Sequence, residues 1–201
     1  MLPALETFIA DFRALYDGEI DDIERFELGR PLMKTLLADP DLKYRAENWP
    51  SRNDPARGYY ENLLFYEDPD YGFVLNALIK EPGEFTPIHD HGEVLTVYGV
   101  LVGGETVRRY RRVDNGTREN GAPGADDGIE LELVGDHQVE PGYIDFVPPG
   151  DIHVEHNGPH RTIGLILRNG NVGRNLQSWY DKEAGTRIQR YGPKQVPYFL
   201  E

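Results

Sequence analysis

The chain has 201 residues, of which 39% are hydrophobic and 11% aromatic, as is typical of one globular domain with a core of ordinary size. Its 35 acidic residues outnumber its 21 basic ones, and the resulting net charge of −14 argues against nucleic-acid binding. The absence of cysteine excludes disulfides, thiolate metal ligands and cysteine nucleophiles. No signal peptide and no apolar run of about 18 residues is recognisable, so we expect a cytoplasmic protein that does not enter a membrane.

Two amphipathic helices are predicted in the N-terminal part of the chain. Apolar residues recur at helical spacing over residues 5–16 and again over residues 20–37. Within the second helix Pro31 is expected to mark a break or a restart, and residues 39–41 are expected to end it.

From Tyr59 onward the pattern changes to short apolar runs that are separated by Gly, Pro and Asp, which is typical of a β-sandwich or β-barrel. Residues 114–128 are predicted to form a surface loop, and the tail after Asn169 is predicted to wrap across the barrel. We therefore expect a helical segment over residues 1–57 that packs on an all-β barrel over residues 58–201, as one domain. The predicted strands are 59–66, 72–79, 95–102, 105–111, 129–134, 143–147 and 162–167.

Three histidines are candidate metal ligands. His89 and His91 are one residue apart, so on an extended segment their side chains project from the same face. His153 can supply a third imidazole from a distant strand. Neutral imidazole binds zinc, copper, iron and nickel, and three protein ligands leave positions open for water or substrate. Glu93 shares its parity with His91 and is a weaker candidate, whereas the other three histidines are interpreted as ordinary surface or core residues.

The spacing around these histidines resembles the two sequence motifs of the cupin superfamily. The first motif fits except that Thr96 stands where cupins commonly carry a glutamate, and the second fits at every defined position. The resemblance implies a double-stranded β-helix of the jelly-roll type. The motif residues are Gly83, His89, His91, Thr96 and Gly103 in the first motif and Gly142, Pro148, Gly150, His153 and Asn157 in the second.

Within the cupins, the sequences of residues 59–63, 87–92 and 99–105 are similar to those of the cysteine-dioxygenase-like group of thiol dioxygenases. The resemblance implies two helices before the barrel and a three-histidine Fe(II) site without a glutamate. It also implies a reaction in which the iron binds substrate and O2 together, which in thiol dioxygenases forms a sulfinate.

The chain departs from this group in its substrate-binding positions. Glu61 stands where the arginine for the substrate carboxylate is expected, so an amino acid held in that manner is not predicted. The group's cysteine–tyrosine crosslink is impossible in a chain without cysteine. The group's Ser-X-His-X-Tyr strand aligns with residues 164–168, which places Arg168 at the tyrosine position. Arg168 is predicted either to hold an anionic group by a two-pronged contact or to form an ordinary salt bridge.

The leading hypothesis is a mononuclear non-haem Fe(II) dioxygenase that uses O2 to oxidise a small substrate, possibly a thiol, at His89, His91 and His153. Arg168 and Tyr60 are the candidate catalytic residues, for which simple packing or pairing remains the alternative. Two other hypotheses stay open, with nickel, copper or zinc as alternative metals. One is a three-histidine cupin that cleaves carbon–carbon bonds, and the other is a non-catalytic, metal-dependent small-molecule binding cupin. The sequence does not reveal the substrate or the oligomeric state.

Overall fold

A computed structural model describes residues 2–114 and 125–200, except for the side chains of residues 125–127. It contains three N-terminal helices, α1 Pro3–Ala14, α2 Asp22–Ala38 and α3 Pro40–Ala46. Thirteen strands follow within these ranges. They are β1 Glu61–Glu67, β2 Val74–Lys80, β3 Ile88–His89, β4 Thr96–Val102, β5 Glu105–Arg112, β6 Ala125–Asp127, β7 Leu131–Val139, β8 Ile144–Val147, β9 Ile152–Asn157, β10 Thr162–Arg168, β11 Leu176–Asp181, β12 Thr186–Tyr191 and β13 Lys194–Pro197.

The helices differ from the prediction at Pro31 and in the segment that follows α2. Helix α2 continues through Pro31 without the expected break. Pro31 lies on the exposed face, where water can bond the carbonyl group that proline leaves without a donor. The segment after α2 starts a third helix, because the Asp39 side chain accepts a hydrogen bond from the backbone N–H of Leu42 at 2.7 Å and Pro40 occupies the first turn.

The strands form two sheets, and the prediction of an all-β unit behind N-terminal helices is confirmed at that level. The six-stranded sheet has the order β13-β1-β2-β10-β4-β8, and the seven-stranded sheet has the order β6-β12-β11-β3-β9-β5-β7. The predicted wrapping tail is built into both sheets, since β11 pairs with β3 and β13 pairs in parallel with β1. Of the predicted loop 114–128, residues 115–124 lie outside the described residues, whereas residues 125–127 form β6 and pair with β12.

The strands β2, β4 and β10 of the six-stranded sheet are buried on both faces, and the two faces differ in character. One face packs against the helices in the main core, where Leu75, Leu165 and Leu167 meet Phe12 and Phe26. The opposite face points into the space between the two sheets, and period-2 alternation places the intervening residues of β1, β2, β4 and β10 on it. These inward residues include buried polar side chains, namely Asn62, Asn76, Lys80, Thr96 and Arg168. The polar groups of this sheet are therefore concentrated on the face where the histidines lie.

Two findings concern binding to nucleic acid and to membranes. Arg108, Arg109, Arg111 and Arg112 of β5 each form an ion pair with a carboxylate, so this basic run is neutralised within the protein. In the described part of the chain, no helix has the length and apolar character that crossing a membrane requires.

Candidate metal centre

Three imidazoles meet between the two sheets. His89 on β3 is the direct cross-strand partner of His153 on β9, and His91 follows two residues after His89. One ligand nitrogen from each lies within 4.8 Å of the others, and all three side chains are buried. The structure thus brings together the three histidines that the sequence spacing singled out, in an arrangement that can hold a metal ion.

Hydrogen bonds at the Nδ1 atoms orient the three rings. His89 Nδ1 lies 2.9 Å from the carbonyl oxygen of Pro87, and His153 Nδ1 lies 3.0 Å from that of Asp151. A carbonyl oxygen only accepts hydrogen bonds, so Nδ1 carries the proton in both rings and Nε2 keeps its lone pair for a metal. His91 Nδ1 lies 3.1 Å from the Thr96 hydroxyl oxygen, which can donate to this atom or accept from it, so the contact orients the third ring in either tautomer.

The electrostatic environment keeps the imidazoles neutral. Burial lowers the pKa of His153 to about 3, and burial also lowers the pKa of His89. The pKa of His91 is lowered well below its ordinary value by burial and then by the charge of Arg168. Neutral imidazoles are the donor set that a borderline-soft divalent metal requires.

A tight turn after β3 directs His91 toward the other two histidines. The Asp90 carboxylate accepts hydrogen bonds from the backbone N–H groups of Gly92 and Ser178, both at 2.9 Å, and from the Tyr180 hydroxyl at 2.8 Å. Glu93 lies past this turn and is exposed, outside the histidine cluster. The alternation of side chains along the strand ends at this turn, so the prediction that Glu93 shares a face with His91 was wrong.

Replacing Gly92 by alanine is expected to destabilise the protein and to lower its metal content. Gly92 has a φ of +59°, and an added Cβ would collide with the carbonyl oxygen of Leu176. Gly72→Ala is the matched control, because Gly72 has a φ of +75° but open space around it. Urea unfolding and metal analysis of both variants measure the effect. Equal losses of stability in the two variants would contradict the role of the contact with Leu176.

The histidine cluster opens into a cavity of about 50 Å³, whose wall combines polar side chains with apolar ones. Tyr60 and Trp179 lie at one side with their rings 6.0 Å apart, and the Tyr60 hydroxyl donates to the carbonyl oxygen of Phe85 at 3.3 Å. Glu61 does not line the cavity but contacts the hydroxyl of Tyr59.

Several cavity side chains have unused hydrogen-bonding atoms. Both amide atoms of Asn62 are buried without a hydrogen-bond partner in the described structure, and so are Gln177 Oε1 and Trp179 Nε1. Sequence reasoning did not single out any of these three residues. A polar residue within an apolar strand was the available signal for Asn62, whereas Gln177 and Trp179 belong to a tail strand that was not predicted.

Arg168 also lines the cavity and is buried, with 4% of its surface exposed. Its Nε donates to the Thr96 hydroxyl at 3.3 Å, and its Nη1 lies 3.5 Å from the side-chain oxygen of Asn76. Among the described residues no carboxylate comes within 4.0 Å of its guanidinium group, so the structure does not contain the salt bridge considered as an alternative. Burial lowers the pKa of Arg168 to about 10, which still leaves it protonated at neutral pH.

Replacing Thr96 by valine is expected to weaken metal binding by about 10-fold, because the hydroxyl that orients His91 is removed at nearly constant volume. Competition titration with a chelator of known affinity measures the change. Thr106→Val is the control, since Thr106 bonds Gln138 on β7 and takes no part in the cluster. An unchanged metal affinity in Thr96→Val would show that Thr96 does not position His91.

A cluster of charged side chains lies beside the cavity. Lys80 is fully buried and pairs with Glu105 and, at 3.4 Å, with Glu155, while the Tyr98 hydroxyl donates to Glu105. Burial alone would lower the pKa of Lys80, but the two carboxylates raise it above its ordinary value. Glu155 and Tyr98 also line the cavity, so the charged cluster and the three histidines border the same space.

No protein-family model matches the chain. Among solved structures it is similar to an oxalate oxidase in complex with glycolate, at 20% identity and a TM-score of 0.36 over 49% of this chain and 42% of that one. It is also similar to the Cnp3 cupin domain of Schizosaccharomyces pombe, at 10% identity and a TM-score of 0.39 over 55% and 60%. A predicted oxalate decarboxylase from Thermotoga maritima matches at 18% identity and a TM-score of 0.33 over 47% and 64%.

The matched part of the chain spans less than half the length of the oxalate oxidases, and less than two thirds of the other two proteins. The site is a buried cluster of three imidazoles, able to hold a metal ion, at the wall of this cavity.

Proposed function

We propose that this protein is a mononuclear non-haem Fe(II) dioxygenase that uses O2 to oxidise a small substrate, with a thiol as the first candidate. The observation that carries the proposal is the convergence of His89, His91 and His153 in a buried cavity without a carboxylate ligand. Sequence motifs that resemble those of cupin thiol dioxygenases support the choice of reaction.

The donor set fits iron, since neutral imidazole nitrogens bind Fe(II) and, among the described residues, the cluster consists of the three histidines. Iron held by the three histidines would supply the electrons that activate O2 for reaction with the substrate. The same donors also accept nickel, copper and zinc, so metal analysis is part of the test.

The protein's own groups bind and orient the substrate. Arg168 presents a buried positive charge to the cavity, and Thr96 connects it to His91. Tyr60 places a hydroxyl at the side of the cavity where Trp179 lies. The apolar residues Leu78, Val147 and Ile166 complete the wall and limit the water that can accompany the substrate.

The test is anaerobic loading with Fe(II), followed by metal analysis and oxygen-uptake assays with small thiols. We expect one iron per chain, oxygen uptake with at least one thiol and a product that has gained two oxygen atoms. Bound iron without uptake on any thiol would remove the thiol assignment. Uptake with diketones or enols instead would identify a carbon–carbon bond-cleaving enzyme, and stoichiometric binding without any product would identify a non-catalytic binding protein.

A further inference from the structure

We propose that the substrate is a thiol with a phosphate group at the far end of its chain, and that this phosphate binds at Arg190 in a second, outer cavity. The proposal rests on the proposed function, in that the thiol end of the same molecule reacts at the metal centre. Three features of the structure support it: the contact between the two cavities, the charge of the outer cavity and the unpartnered polar atoms between the two.

The outer cavity lies next to the cavity of the histidines. Its volume of about 470 Å³ is within the usual range for small-molecule sites. Tyr60, Trp179 and Pro193 line both cavities. An elongated molecule that passes these three side chains would therefore occupy both cavities at once.

The strand register of the seven-stranded sheet sets the spacing between the two cavities. His89 on β3 pairs with Trp179 on β11. Gln177, also on β11, pairs with Arg190 on β12. Neighbouring strands lie about 4.8 Å apart, so the backbone of β12 is about 10 Å from that of β3. A ligand that contacts both a metal at His89 and the side chain of Arg190 therefore needs a chain between its reacting end and its anionic end.

The outer cavity is positively charged, although the chain as a whole has a net charge of −14. Among the described residues, its lining contains Arg174, Arg190 and Lys194 but no aspartate or glutamate. Arg174 pairs with Glu67, and Lys194 lies 3.8 Å from Glu61, so these two cations have carboxylates nearby. Three neighbouring cations in an acidic protein create a local positive potential that attracts anions.

Arg190 is the cation of this cavity that has no anionic partner. Its guanidinium group lies over the Trp179 ring, 4.8 Å from the ring centroid, and its side chain has no ion pair or hydrogen bond with any described residue. A guanidinium group binds phosphate through two parallel hydrogen bonds. With three cations in one cavity, a phosphate monoester, which carries nearly two charges and three acceptor oxygens, fits better than a carboxylate.

Unpartnered polar atoms lie between the two cavities. Gln177 lines the histidine cavity and is 3% exposed, and its Oε1 has no hydrogen-bond partner in the described structure. The Nε1 of Trp179, which lines both cavities, is also buried without a partner. Buried polar atoms are normally hydrogen-bonded. An acceptor and a donor are therefore available where the connecting chain of the substrate would pass.

The test uses ω-mercaptoalkyl phosphates from ethyl to decyl, each paired with the uncharged ω-mercaptoalkanol of the same length. Calorimetric titration of the Fe(II)-loaded protein without oxygen gives the dissociation constants. The shortest pair should show little preference for phosphate. Near the middle of the series the phosphate should bind about 10- to 100-fold more tightly than the alcohol, because it gains charge-assisted contacts with Arg190.

Two outcomes of this series would overturn the proposal. One is equal affinity within every pair. The other is a phosphate preference of the same size at every length, since a ligand that bridges two fixed positions requires a particular spacing.

Variants then assign the preference to Arg190. Arg190→Met is expected to remove it, and Arg190→Glu is expected to reverse it by placing a negative charge beside the phosphate. Arg190 is exposed, so both variants are expected to fold, which urea unfolding verifies. Arg111→Met is the control for the loss of one charge, because Arg111 is exposed, pairs with Glu132 and lines neither cavity. A phosphate preference that persists in both Arg190 variants would contradict the assignment.

Titration of the metal-free protein with hexyl phosphate, which has no thiol, separates this proposal from the proposed function. Binding that depends on Arg190, in a protein that takes up no oxygen with any thiol, would support the phosphate site and remove the oxygenase. Oxygen uptake with short thiols, combined with no phosphate preference at any length, would support the oxygenase and remove the phosphate site.

Discussion

Replacing His153 by alanine is expected to abolish metal binding, with an affinity loss of more than about 100-fold. Loss of a group that merely orients a metal ligand already costs 10- to 100-fold, and His153 is expected to be a ligand itself. It supplies the only imidazole of the cluster from outside the β3 segment and is the cross-strand partner of His89. The measurement is metal content after loading and desalting, together with oxygen uptake.

His156→Ala is the matched control for this variant. His156 lies on the same strand, β9, but with the opposite parity, and its ring stacks on Phe85 at 5.8 Å. It should therefore keep its metal and its activity. Retention of the wild-type metal content by His153→Ala would contradict the three-histidine centre, whatever the activity of the control.

Replacing Lys80 by methionine is expected to lower the free energy of unfolding by about 3–5 kcal/mol. Lys80 is fully buried, and its removal leaves the carboxylates of Glu105 and Glu155 close together without a counter-charge. Urea denaturation measures the loss. The double variant Lys80→Met/Glu105→Gln should recover part of it, because one of the two stranded charges is also removed.

The control for the charge change is Lys194→Met, since Lys194 is exposed and lies 3.8 Å from Glu61. Such surface pairs contribute about 0–1 kcal/mol, so this variant should unfold close to the wild type. Arg168→Met provides the opposite comparison. Removing a buried cation that has no anionic partner should change the free energy of unfolding little. Similar destabilisation by Lys80→Met and Lys194→Met would contradict the structural role of the buried cluster.

Local pattern was sufficient for much of the fold and for the histidine cluster. Seven of the thirteen described strands were predicted, six of them to within two residues at each end, because apolar runs and glycine turns are read over short distances. The cluster of His89, His91 and His153 was identified from the resemblance of two separated segments to the cupin motifs. In each case the informative residues are close in sequence, or belong to a motif with fixed spacing.

The remaining features depend on contacts between distant segments. The tail strand β11 lies in the seven-stranded sheet beside β3, and its Gln177 and Trp179 form part of the cavity wall. Nothing in the composition of the tail predicts which strand it joins. The sequence marks Asn62 as a polar residue within an apolar strand, but its unpartnered amide is a property of the folded structure. The absence of an acidic partner for Arg168 is a property of the assembled interior.

The position of β3 affects the order in which the chain folds. This strand has only two residues, and it lies between β9 and β11, whose residues follow it by some sixty to ninety positions in the chain. Closing such long loops is slow compared with forming helices, so α1 and α2 can form while the chain is still being synthesised. The imidazole cluster can form only after β9 has been synthesised and has paired with β3. A metal held by the three histidines would therefore bind after the N-terminal helices have formed.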